Sequence, residues 1–333
     1  MDNHAKSIVL PQIDSDSEQQ EEFKLRPGSL ASFIGQSKIK HNLQVFMDAA
    51  KIRCKSLDHT LLYGPPGLGK TTLSAIIANE MAVGIHTTAG PMLSKTGDLA
   101  AILTNLRAND VLFIDEIHRL PITVEEILYS AMEDFRLDII IGEGPAARTI
   151  KIDLQPFTLI GATTRMGLMS NPLRSRFGIL LPLELYDHDE LALVVERCCT
   201  FHNTKINKDA AILIATKARG TPRIAIRITK RVIDFALVAG HDIITANIVQ
   251  TTTDKLGIDS CGLDGLDLNY IRFIADKYRG GPVGIETIAA ALSEDKGTIE
   301  EIIEPFLLKE GFVEKTPRGR ILTEMALRHI GIA

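Results

Sequence analysis

Apolar and polar positions follow a few distinct rhythms along this chain. Thr60-Leu61-Leu62-Tyr63, Val111-Leu112-Phe113-Ile114 and the run from Phe157 to Thr164 have the length and composition of buried strands. Ile85-His86-Thr87-Thr88 is a further short strand candidate, and the stretches Thr72 to Glu80, Asp98 to Leu106 and Val124 to Met132 read as helices. Strands alternating with helices predict a parallel α/β sheet, whose ligands bind at the carboxyl ends of its strands. A different pattern interrupts it. Leu137 to Ile141, the turn Gly142-Glu143-Gly144-Pro145 and a return arm from Arg148 to Ile152 predict a β-hairpin.

The flanks have other rhythms. Residues 1 to about 23 include Asp14-Ser15-Asp16-Ser17-Glu18-Gln19-Gln20-Glu21-Glu22, too polar and acidic to bury a core. Order is expected from Leu25-Arg26-Pro27, followed by an amphipathic helix through Val45, Phe46 and Ala49. From about Asp187 to Leu256 the pattern is helical without strand runs, as in a small lid. Beyond Gly262 come helices over 268–278 and 285–293, then one opened by a Thr298/Glu301 capping box. Two strands around Thr316-Pro317-Arg318-Gly319 complete a winged helix. The expected division is an acidic tail at 1–23, a large domain at 24–186 with its hairpin at about 137–152, a lid at 187–257 and a winged helix at 262–333.

One stretch carries the chemistry. Gly64-Pro65-Pro66-Gly67-Leu68-Gly69-Lys70-Thr71-Thr72 fits the phosphate-loop pattern between a strand and a helix. Its glycines let backbone N–H groups and the helix N-terminus face an anion. Lys70 would neutralise β- and γ-phosphates, and the Thr71 hydroxyl would ligate Mg²⁺. Asp115-Glu116 follows an apolar strand, as expected of a second nucleotide motif in which Asp115 holds Mg²⁺ and Glu116 activates water. Thr163 and Thr164 end another strand, where a hydroxyl would meet the lytic water or the γ-phosphate. In Leu173-Arg174-Ser175-Arg176 an arginine finger for a neighbouring subunit and a solvated surface pair are both open readings. Thr221 and Pro222 suit the N-cap and first position of a helix, which puts Arg223 in a turn where the macrodipole disfavours a cation. Either an anion lies nearby or Arg223 belongs to a basic face with Arg227, Lys230 and Arg231.

Charge and composition limit the partners. The net charge of −5 makes any nucleic-acid contact local. Lys315, Arg318 and Arg320 on the wing, with Lys296, suit phosphate contact. The preceding helix carries Glu300, Glu301 and Glu304 against Lys309 alone, which disfavours base reading; a wing that binds only protein is the open alternative. Cys54, Cys198, Cys199 and Cys261 lack metal-site spacing. No apolar run reaches the roughly 20 residues of a membrane helix, and the polar N-terminus lacks a signal peptide, so an intracellular, cytoplasmic protein is expected.

These stretches together resemble the AAA+ ATPases. Asp115 to Leu120, Ala131-Met132-Glu133-Asp134, Gly142 to Arg148, Gly161 to Arg165, Gly220 to Arg223, Gly280 to Gly284 and the wing Thr316 to Arg320 are similar, more narrowly, to the RuvB family of Holliday-junction branch-migration motors. The resemblance implies an α/β AAA+ core with a parallel sheet and P-loop, a small helical lid domain and a C-terminal winged-helix domain. It implies a homohexameric ring that uses ATP and Mg²⁺ to pump the duplex DNA arms of a junction, with RuvA and the RuvC resolvase as partners and no membrane. Leu25, Arg26, Gly67, Gly69, Lys70, Thr71, Thr72, Glu133, Asp134, Phe135, Thr163, Thr164 and Tyr186 would then contact nucleotide, with Arg223 as second sensor and Arg176 as trans finger. Ile150 and Ile152, expected to be exposed on the hairpin, would dock RuvA. Lys296 and Lys315 stand where arginine is usual, and Ile226 replaces a polar residue. A clamp-loader-like switch and a non-hydrolysing adaptor are the rival readings; Glu116 and Arg176 count against the adaptor.

Overall fold

The computed structural model describes residues 25–141 and 148–332. The acidic tail and the predicted hairpin turn lie outside the described residues. The chain divides into two compact units, one of residues 26–64 and 68–184, the other of 65–67 and 185–332 together with Leu25.

The first unit is built on a parallel sheet. In chain order it contains α1 (Ser37–Ile52), β1 (Thr60–Tyr63), α2 (Lys70–Met81), β2 (Ile85–Ala89), α3 (Thr96–Thr104), β3 (Val111–Asp115) and α4 (Ile122–Asp134). The hairpin β4 (Arg136–Ile141) and β5 (Arg148–Asp153) follows, then β6 (Thr158–Thr163), α5 (Asn171–Ser175) and β7 (Ile179–Pro182). Strand order is β2-β3-β6-β1-β7. All six residues of β6 are buried, as the middle strand of a two-sided sheet requires. On one side of the sheet Leu112, Ile114 and Leu159 pack with Leu128 and Ala131 of α4. β7, absent from the predicted strands, is a four-residue edge strand that ends in proline.

In the hairpin Leu137 pairs with Ile152 and Ile139 with Ile150. Ile150 is exposed, but Ile152 is partly buried against the sheet's apolar cluster, so the expectation of two exposed isoleucines holds for Ile150 alone. The two share a face by strand period, and only the residue nearer the sheet reaches the core.

The second unit begins with α6 (His188–Phe201), β8 (Lys205–Ile206), α7 (Lys208–Lys217), α8 (Pro222–Val238), β9 (Ile243–Ile244) and α9 (Ala246–Lys255). The two-residue parallel pair β8–β9 corrects the expectation of a strandless segment; runs this short leave no periodic signal. The winged helix follows with α10 (Gly265–Tyr278), α11 (Ile285–Leu292), α12 (Lys296–Thr298), a π-helical turn (Ile299–Ile303) and α13 (Glu304–Lys309). β10 (Val313–Thr316), β11 (Gly319–Leu322) and α14 (Glu324–His329) complete it. Asp295, whose carboxylate accepts the Gly297 N–H, caps the third helical segment, and Thr298 is already helical. The predicted Thr298/Glu301 box is therefore displaced by a nearby carboxylate, the stronger cap. Tyr270, Ile271, Ile288, Leu307 and Val313 form the core of this part. Among the described residues no helix is long and apolar enough to cross a membrane.

Candidate nucleotide site and nucleic-acid interface

Three strand ends converge in the first unit. β6 lies between β3 and β1, so Thr163 has the end of β1 on one side, paired with Tyr63, and the end of β3 on the other. The Gly64 N–H donates to the Thr163 carbonyl at 3.2 Å. A Cβ on Gly64 would lie 2.3 Å from the Leu183 carbonyl oxygen, and φ is +144°, so glycine is required there.

Gly69, at φ +93°, is the N-cap of α2 and offers no side-chain acceptor; the first turn holds no acid. The N–H groups of a twelve-residue helix thus end on an uncapped turn at the positive pole of its macrodipole. Lys70 occupies the first helical position, where a cation is disfavoured, and is buried. Its Nζ donates to the Gly64 carbonyl at 2.8 Å. Uncapped amides and a buried lysine on one turn make a cradle for an anion.

Asp115 is the last residue of β3, and its Oδ1 accepts the Glu116 N–H at 2.9 Å. Glu116 turns the chain off the strand in the left-handed region, φ +47°. Its carboxylate is paired with the Arg119 guanidinium at 2.8 Å on a half-exposed surface. The Thr163 hydroxyl hydrogen-bonds His118 Nδ1 at 3.0 Å and accepts the Arg165 N–H at 3.0 Å. Sequence reading assigned His118 no role. The available signal was its place three residues past the Asp115 strand end, which brings it over the neighbouring strand.

A second group forms around Arg176, the C-cap of α5. Its Nη2 lies 3.1 Å from Glu133, its Nη1 donates to the Pro172 carbonyl at 2.7 Å, and its guanidinium stands 4.5 Å over the Tyr129 ring. Burial, helped by Glu125 and opposed by the Ser170 hydrogen bond and the Arg176 charge, pushes the Tyr129 hydroxyl above its ordinary range. Glu133 and Asp134 end α4, and Phe135 caps it with its ring edge-on to Phe157 at 5.8 Å. Expected nucleotide residues thus fall into two sets in this unit, one around Lys70 and Thr163, the other around Arg176 and Glu133.

In the second unit Leu25 and Tyr186 are buried, and the Tyr186 N–H donates to the Gly220 carbonyl at 2.8 Å. Thr221 is the N-cap of α8, but its hydroxyl donates to the Arg219 carbonyl at 3.2 Å instead of capping. Arg223 is exposed in the first turn, and its N–H reaches the Gly67 carbonyl at 3.4 Å.

The wing is electrostatically tied to its own helix. Glu304 is fully buried; it accepts from Arg320 Nε at 2.7 Å, Lys315 Nζ at 2.7 Å and the Tyr270 hydroxyl at 3.2 Å. Burial penalises the charged carboxylate, yet the hydrogen bonds and charges of Arg320 and Lys315 outweigh that and hold it below the usual range. Lys296 pairs with Glu286 at 2.9 Å. Arg318, at the turn, is exposed and outside this network.

Three family models match the chain in succession: the Holliday junction DNA helicase RuvB P-loop domain over residues 25–183, the RuvB AAA lid domain over 186–259 and the RuvB C-terminal winged helix domain over 260–331. Among solved structures, the RuvB Holliday junction branch migration motor of Thermotoga maritima is 52% identical with a TM-score of 0.87, the match covering 93% of this chain and 99% of that one. A lysine-to-arginine variant of the Thermotoga maritima protein matches at 52% identity and TM-score 0.87, covering 92% of this chain and 98% of its own. An alanine-to-serine variant matches at 52% and 0.88, covering 93% and 99%.

Proposed function

The chain belongs to the RuvB family of P-loop ATPases, the Holliday junction DNA helicases, and we propose that it drives branch migration as a homohexameric ring on duplex DNA, with RuvA and the RuvC resolvase as partners. The observation that carries this reading is the convergence of an uncapped helix N-terminus, a buried lysine and the ends of β1, β3 and β6 at one edge of the sheet. That edge suits a triphosphate: N–H groups and Lys70 face the phosphates, and acids stand beside them.

Each residue has a task. Lys70 takes the β- and γ-phosphate charge, with the amides around Gly69, Thr71 and Thr72. Glu116 orients and deprotonates the attacking water, for which it must leave Arg119. Thr163, oriented by His118, positions the water or the γ-phosphate, beside Thr164. Thr71 and Asp115 would hold Mg²⁺, for which their hydroxyl and carboxylate oxygens are suitably hard donors. The ion would supply Lewis-acid neutralisation of phosphate charge there. Arg176, backed by Glu133 and Tyr129, is presented to a neighbouring subunit's γ-phosphate, and Arg223 is the second sensor. Arg318 and the Glu304-tied Lys315 and Arg320 contact the DNA backbone, and the exposed Ile150 docks RuvA. A cytoplasmic setting follows from this work on DNA.

ATP-dependent dissociation of a synthetic four-way junction, with and without RuvA, beside Glu116→Gln, tests the reading. Dissociation that requires ATP, RuvA and Glu116 is expected. ATP hydrolysis without junction movement would replace the motor with a clamp-loader-like switch.

A further inference from the structure

Arg219 occupies a position that the residues assigned so far do not explain. It stands between α7 and the Gly220-Thr221-Pro222-Arg223 turn, is buried, and has φ +52°. A non-glycine residue in the left-handed region is disfavoured and persists where its surroundings over-determine it. The surroundings here are two carboxylates and a carbonyl. Nε donates to Gly262 at 2.9 Å, Nη1 to Asp267 Oδ1 at 3.1 Å, and Nη2 to Asp264 at 2.5 Å and Asp267 Oδ2 at 2.8 Å.

Those carboxylates are the capping box of α10. Asp264 accepts the N–H groups of Leu266 and Asp267, and Asp267 accepts the Asp264 N–H. The start of the winged helix is thus assembled around a lid arginine. A second clamp lies beside it: Lys217 Nζ donates to the Asp259 carbonyl at 2.8 Å, and a Cβ on Gly262 would lie 2.6 Å from the Lys217 carbonyl oxygen. On the opposite side the turn has no slack either. A Cβ on Gly220 would lie 2.8 Å from Leu185 Cβ, and the Gly220 carbonyl already accepts from Tyr186.

The chain of contacts continues along α10. Tyr270, one turn beyond Asp267, donates to Glu304, the carboxylate that holds Lys315 and Arg320 on the wing. A continuous series of polar contacts and one helix therefore joins the turn that carries Arg223 to the wing that faces DNA.

Resting on the DNA-driven ATPase reading above, we propose that Arg219 is a positioning residue that locks the second-sensor turn to the winged helix, so that DNA on the wing and nucleotide at Arg223 act on one mechanical part. The guanidinium holds both carboxylates and a carbonyl through N–H groups fixed in one rigid plane, a geometry that a lysine ammonium does not reproduce. Thermodynamic coupling of this kind changes an effector's influence without changing either site's own contacts.

The test compares the full-length protein with Arg219→Gln, Arg219→Lys and Tyr270→Phe. Basal ATPase, affinity for a mixed-sequence duplex, and the stimulation of ATPase by that duplex are measured. Basal turnover and duplex affinity are expected to stay within about twofold, while stimulation falls about tenfold in Arg219→Gln, a coupling loss of ordinary size. Arg219→Lys should not rescue it, and Tyr270→Phe, which removes only a hydroxyl and carries the test if Arg219→Gln does not fold, should lower stimulation in the same direction. Full stimulation in a folded variant, or loss of basal and stimulated turnover in equal proportion, overturns the proposal. A wild-type protein that duplex does not stimulate would instead overturn the motor reading beneath it.

Discussion

The Arg176 guanidinium lies 3.1 Å from the Glu133 carboxylate of its own chain and 4.5 Å over the Tyr129 ring. An arginine stacked and paired in this way is pre-organised, which suits a group that must meet charge developing elsewhere.

If Arg176 works on a neighbour's nucleotide, Arg176→Ala and Lys70→Ala should each abolish turnover as pure proteins, and their equimolar mixture should recover some. Random assembly leaves about a quarter of interfaces with an intact lysine on one side and an intact arginine on the other. Steady-state ATPase of the mixture checks this. No recovery would place Arg176 in the site of its own subunit.

Wing residues should separate by their exposure. If Arg318 contacts a phosphate, Arg318→Ala should reduce the slope of log affinity against log salt by about one. Arg320→Ala should also destabilise the fold, by about 3 kcal/mol, because the buried Glu304 loses its closest guanidinium partner. Duplex titrations at several salt concentrations, with urea unfolding of each variant, read the two effects apart.

The hairpin isoleucines should differ as well. Ile150→Glu places a charge on an exposed face and should weaken RuvA association while sparing stability. Ile152→Glu puts a carboxylate against the apolar cluster and should cost about 2 kcal/mol or more. Pull-down by RuvA and thermal unfolding of the two variants check the contrast. Equal effects of both on RuvA, without loss of stability, would contradict it.

Asp267 predicts a pH effect on stability. Burial, with the neighbouring Asp264 charge, pushes its carboxyl up to about 7 against the pull of Arg219, while Asp264 is held low by Arg219 and backbone amides despite its own burial. The folded value of Asp267 lies above the unfolded one, so its contribution is complete below about pH 4 and is lost as pH rises through about 7, at no more than about 1.4 kcal/mol per pH unit. Arg227, which also faces Asp264, keeps its charge across this range. Urea midpoints of wild type and Asp267→Asn between pH 4 and 8 check the sign: the wild type should lose stability relative to the variant as pH rises.

Much of this protein was determined by local sequence. The phosphate loop, the β3 and β6 runs, the hairpin arms and the wing announce themselves because a buried strand needs consecutive apolar residues, and a phosphate turn needs glycines where φ is positive. The family resemblance rests on the same local stretches. Tertiary structure alone decided which partners those residues meet. It set Thr163 between the ends of β1 and β3 with His118 on its hydroxyl, buried Ile152 while leaving Ile150 exposed, and tied Lys315 and Arg320 to Glu304. It also brought Arg219 to two aspartates 45 and 48 positions away. Sequence periodicity records which side of an element faces inward. The identity of what lies opposite depends on contacts between segments far apart in the chain, and only the folded packing brings them within hydrogen-bond reach.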